Sequence, residues 1–82
     1  MKEKTIKFVQ RGRPMSLVLT GEHAGSLRSE SGGYSERLSI SKMRETVNML
    51  TRVYLSGRSP NPRMVDKINM AVVMLGAMTS SE

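Results

Sequence analysis

Apolar residues recur regularly only in the second part of this chain. Ile40, Met43, Val47, Leu50 and Tyr54 follow one another at spacings of three and four, which lines them up on one stripe of a helix. Ser41 suits the N-cap of that helix and Gly57 its stop. A second helix is announced by Arg58-Ser59-Pro60, with Ser59 as cap and Pro60 at the first helical position, where a missing N–H costs nothing. Met64, Ile68, Ala71, Leu75 and Met78 repeat the helical spacing, and Val65, Val72 and Val73 widen the stripe. From Met70 to Met78 the helix is apolar around most of its circumference. Such a helix needs cover on more than one side, and in so short a chain a second copy is the expected source. Ahead of the first helix the period falls to two. Tyr34, Glu36, Leu38 and Ile40 alternate with Ser35, Arg37, Ser39 and Ser41, the pattern of a short strand.

The first third reads differently. Thr5-Ile-Lys-Phe-Val9 has the β-branched and aromatic content of a strand, Gln10-Arg-Gly-Arg-Pro14 breaks it, and Ser16-Leu-Val-Leu-Thr20 can form a second. The two alternatives are a hairpin closed across the Arg-Gly-Arg-Pro turn and a loosely ordered basic arm. Gly21–Gly33 holds four Gly and three Ser with little apolar besides Leu27, so it reads as a linker. The expected organisation is an N-terminal arm or hairpin plus linker over 1–33, and a strand-helix-helix unit over 34–82. The fold class is α+β, mostly helical.

Size and composition then limit the chemistry. Eighty-two residues make one small domain with little interior for a catalytic cleft. Cysteine is absent and His23 is the lone histidine, which removes disulfides and the usual thiolate and multi-histidine metal sites. No catalytic constellation stands out, and Glu36 and Glu45 fall on different elements. We expect no enzyme and no cofactor. Eight methionines, five of them between Met43 and Met74, read first as core filler and second as an adaptable docking face. No apolar run reaches the roughly 18–20 residues of a membrane span, and Lys2, Glu3, Lys4 and Lys7 interrupt any signal-like start, so a cytoplasmic location is expected.

Charge points to a partner. Thirteen Lys and Arg against seven Asp and Glu give +6, a field that attracts polyanions. Residues 1–33 carry six basic and three acidic groups and residues 34–82 seven and four, so the excess is spread along the chain. Three aromatic residues, Phe8, Tyr34 and Tyr54, are too few for a base-stacking RNA platform.

Ser56-Gly57-Arg58-Ser59-Pro60-Asn61-Pro62-Arg63-Met64-Val65 resembles the inter-helix turn of the ribbon-helix-helix repressors, such as Arc, Mnt and MetJ. The similarity is tight over about ten residues and compatible in element order over roughly 34–78. The resemblance implies a dimeric regulator that docks a two-stranded ribbon in the major groove of double-stranded DNA. On this chain it implies Ser35, Arg37 and Ser39 facing the bases. The start of the second helix at Ser59, Pro60 and Asn61 would meet a phosphate, flanked by Arg58 and Arg63. Leu38, Ile40, Met64, Ile68, Val72 and Leu75 would form the dimer interface. Glu36 departs from that pattern, since it stands where an apolar residue belongs. Arg11-Gly12-Arg13-Pro14 resembles a minor-groove arm and adds Arg11 and Arg13 to the DNA-binding set. The alternative expectation, from another class, is a phage- or plasmid-type inhibitor or adaptor that docks on a host protein through its hairpin or Met-rich helices.

Overall fold

The computed structural model describes residues 3–57 and 59–81. Its elements run β1 (Thr5–Gln10), β2 (Arg13–Val18), β3 (Leu27–Ser29), α1 (Ile40–Leu55) and α2 (Pro62–Ser80). A three-stranded antiparallel sheet in the order β1-β2-β3 is thus followed by two helices, an α+β arrangement. The chain divides into two compact units, Met1–Leu38 and Ser39–Glu82. The division falls after Leu38, where the sequence pattern placed it after Gly33.

In the first unit, the N-terminal segment is a hairpin and not a loose arm. Gln10 pairs with Arg13, so the turn holds only Arg11 and Gly12, at φ 52° and 76°. Positive φ at both central positions marks the type I′ turn, whose twist matches that of the flanking strands. The tight turn also corrects the second strand, which begins at Arg13 and not at Ser16. Ile6 sits opposite Leu17 and Phe8 opposite Met15, and Leu17 in turn faces Leu27 on β3. Those cross-strand partners share one face of the sheet, and Ile6, Phe8, Leu17 and Leu27 are all buried.

The expected linker over Gly21–Gly33 is instead part of this unit. Its glycines and serines form turns, and Leu27, its one large apolar residue, supplies the side chain that lets β3 pair with β2. Gly25 shows why glycine is needed. It is buried with φ 90°, its N–H donates to Val18 O (2.9 Å), and its carbonyl accepts from the Leu38 N–H (2.9 Å). A side chain there would force an unfavourable left-handed backbone.

The strand expected over 34–41 is reduced to its first residues. Tyr34 forms an isolated antiparallel bridge with Arg28, and the Ser35 N–H donates to Leu27 O (2.8 Å). Beyond that the chain is irregular as far as Ser39. Serine hydroxyls explain the loss, because they offer the backbone other partners. Ser35 Oγ accepts from the Leu27 N–H (2.9 Å) and donates to Glu36 O (2.8 Å), taking up groups that a longer ladder would use.

In the second unit α1 packs on α2. Met43, Thr46, Val47 and Leu50 are the buried residues of α1, and Ile68 and Ala71 those of α2. The buried Thr46 hydroxyl is satisfied by donating to Lys42 O (2.8 Å). Both caps differ from expectation. Ser39, not Ser41, caps α1 and accepts from the Lys42 N–H at 3.2 Å. Asn61, not Ser59, caps α2, and Pro62, not Pro60, occupies the first turn. A residue that precedes proline is driven out of the helical region. Asn61 accordingly stays extended (φ −63°, ψ 126°), and the helix cannot begin before Pro62. Among the described residues, no helix is long and apolar enough to cross a membrane.

Candidate nucleic-acid interface

The residues expected to contact DNA fall in three places. Arg11 and Arg13 lie at the tip of the β1–β2 hairpin and are exposed. Arg37 and Ser39 lie on the irregular stretch before α1, both exposed. Ser59, Asn61 and Arg63 surround the start of α2, again exposed. The expectation for Arg58 lies outside the described residues. Arg28 forms an ion pair with Glu3 (3.7 Å). Arg11, Arg13, Arg37 and Arg63 form no ion pair with the described residues.

Three of the expected contacts, Ser35, Ser39 and Asn61, are committed inside the chain, Ser39 through its hydroxyl as the cap of α1. Ser35 is tied to β3 through its N–H and its hydroxyl, as described above, so it cannot alternate freely toward a groove. At α2, the Arg63 N–H donates to Asn61 Oδ1 (2.9 Å), and the Met64 and Val65 N–H groups donate to Asn61 O (2.9 and 3.0 Å). The first N–H groups of this helix are thus accepted internally, and Pro60 and Pro62 have none to offer. The exposed side chain of Arg63 is the charged group that the described residues place at this end.

The hairpin tip has the opposite character. β3 pairs with β2 only at Met15, Ser16 and Leu17. Past Ser29 the sheet narrows to two strands at the pairs Val9↔Pro14 and Gln10↔Arg13, with the turn after β3 lying beside the β2 side of this end. Pro14 is compatible with this position for a specific reason. The Leu19 N–H points to β1, donating to Lys4 O, while the Val18 N–H points the other way, donating to Ser26 O. Alternation along the strand then aims position 14 away from β1, where no strand faces it, so a missing N–H costs no hydrogen bond. Val9 is 67% exposed. Beside the free end lies a recess of about 520 Å³ lined by Arg13, Pro14, Met15, Ser29, Glu30 and Ser31. Sequence reasoning missed Gln10 as a member of this surface. The Arg11-Gly12 dipeptide was the available signal, because glycine after a residue able to take positive φ marks a two-residue turn.

A second polar cluster was also missed. Tyr34 stacks on His23 with ring centroids 3.8 Å apart and planes 12° from parallel, and Arg28 Cζ lies 5.7 Å from the Tyr34 centroid. The Tyr34 hydroxyl donates to the Glu3 carboxylate, 3.1 Å from each oxygen. The groups satisfy one another, and the arrangement joins the start of the chain to β3 and to the turn holding His23. Partial removal from water raises the Tyr34 pKa above its usual value, and the hydrogen bond to Glu3 and its charge raise it further against the opposing charge of Arg28.

The expected dimer residues divide by exposure. Ile68 is buried within the single chain, where it takes part in the packing of α2. Leu38, Ile40, Met64 and Leu75 are half-buried. Val72 is 48% and Val73 71% exposed, so the over-apolar helix does keep an uncovered side. Among the described residues, no group of three or more acidic or histidine side chains could hold a metal ion. No protein-family model, curated protein or solved structure gives a significant match to this chain.

Proposed function

We propose that this chain binds double-stranded DNA as a dimeric regulator of transcription. The observation that carries the reading is that exposed arginines without carboxylate partners among the described residues lie at the hairpin tip (Arg11, Arg13), before α1 (Arg37), on α1 (Arg44, Arg52) and at the start of α2 (Arg63), on a chain of net charge +6. Guanidinium groups held free of internal ion pairs can take phosphates bidentately. From the ribbon-helix-helix resemblance the proposal keeps the paired helices and the dimer. It does not rest on a base-reading strand over 35–39, since Ser35 is engaged with β3. Random-sequence duplex DNA, titrated by fluorescence anisotropy at two salt concentrations, tests the proposal. Affinity should fall steeply with salt, with a log–log slope of about −0.9 per phosphate neutralised. Absence of binding at low salt would refute it.

A second reading, a protein-docking inhibitor or adaptor, draws on the exposed apolar side chains Val53 on α1 and Val72 and Val73 on α2. Association through those residues would be nearly indifferent to salt, which separates the two readings in the same experiment.

A further inference from the structure

We infer that the free end of the β1–β2 hairpin, Val9–Pro14, is the ribbon that enters the major groove, and that Arg11 is retained at its tip for that contact. The inference rests on the DNA-binding reading and assigns its contact surface. It starts from a backbone conflict. Arg11 has φ 52°, a left-handed conformation in which its Cβ crowds the following carbonyl. The first position of a type I′ turn favours Asn, Asp or Gly for this reason. Arginine gains nothing inside the chain in exchange. It is exposed, and it makes no hydrogen bond or ion pair with the described residues. Strain of this kind, kept where a better turn former would fit, points outward to a ligand.

The geometry around it fits a duplex. The major groove of B-DNA admits a two-stranded β-ribbon, and the sheet is two-stranded only beyond Ser29. The minimal turn keeps the tip narrow. Arg13, paired with Gln10 and exposed, adds a second arginine one residue past the turn. Gln10 brings a carboxamide, a group that can bond bidentately to adenine while arginine does so to guanine. Two exposed arginines and a half-buried glutamine are thus gathered at one short hairpin end.

The test replaces Arg11 with the residue the turn prefers. Arg11→Asn should raise the melting temperature by a few degrees, because asparagine tolerates the left-handed region. The same variant should bind duplex DNA about tenfold more weakly and lower the salt slope by about 1. Arg44→Gln, a loss of the same charge from the exposed side of α1, controls for net charge and should leave both nearly unchanged. Unaltered affinity in Arg11→Asn, when the wild type binds DNA, would overturn the inference while leaving the broader reading in place. Equal losses in Arg11→Asn and Arg44→Gln would overturn it too, as would a melting temperature that does not rise. A wild-type preference for single-stranded RNA over duplex DNA would overturn the groove assignment, and no binding to any of these would overturn inference and function together.

Discussion

Tyr34 shows how much a single side chain can organise here. Its ring covers His23, its hydroxyl reaches Glu3 and its face lies near Arg28, so residues far apart in sequence converge on it. The raised pKa of its hydroxyl has a definite consequence for stability. A group whose pKa is higher folded than unfolded holds its proton more tightly in the folded state. Its contribution is therefore complete below the unfolded value of about 10 and is lost as pH rises beyond it. Stability measured by denaturant at increasing alkalinity should decline above pH about 10, and Tyr34→Phe should weaken that decline. An identical alkaline profile in the variant would show that other groups govern it. None of this was legible in the sequence. Tyr34 read as one residue in an alternating strand, and His23 as a residue of a flexible stretch, because stacking depends on turns whose closure periodicity does not reveal.

At the scale of elements, legibility followed the strength of the local rule. The helical period from Ile40 to Tyr54 and from Met64 to Met78 gave both helices, because burial along one stripe enforces it over many residues. The boundaries were harder. Two serines compete to cap α1, and two Xaa-Pro pairs compete to start α2. Only the steric exclusion imposed by Pro62 on Asn61 decides the latter, and the sequence reading did not apply it. Asn61→Ala should cost about 1 kcal/mol of stability, since the side chain accepts the Arg63 N–H. Ser59→Ala should cost little, and chemical denaturation of the two variants would reverse the assignment if Ser59 proved the costlier loss. β3 was illegible for a different reason. Three residues with one apolar side chain, Leu27, carry too little pattern to announce a strand, and only the register of β2 makes that side chain matter.

For the molecule as a whole, charge and uncovered apolar surface are the two properties that call for partners. The charge was readable by counting, and its free arginines required the structure. The uncovered side of α2 was anticipated from composition; Ile68 is buried within the chain, while Val73 is the most exposed large apolar side chain among the described residues. If a second copy covers that side, the melting temperature should rise with protein concentration, as expected when association stabilises only the folded state. Val73→Lys, which removes no buried contact, should abolish the concentration dependence and leave the melting temperature of the dilute protein nearly unchanged. A concentration-independent midpoint for the wild type would exclude a dimer in that range.

The change of β2 from a central strand to an edge strand has a consequence for solubility. An unpaired strand edge is a template on which other chains can add, and sheets usually blunt such edges. Here the edge opens just where β3 ends, and the residue that meets it is Pro14, which has no N–H to give to an incoming strand. Projecting a bare ribbon into solvent invites edge-to-edge growth, and the same proline that the narrowed sheet tolerates guards that edge against it. The hairpin can stay exposed for a ligand without becoming the seed of an aggregate.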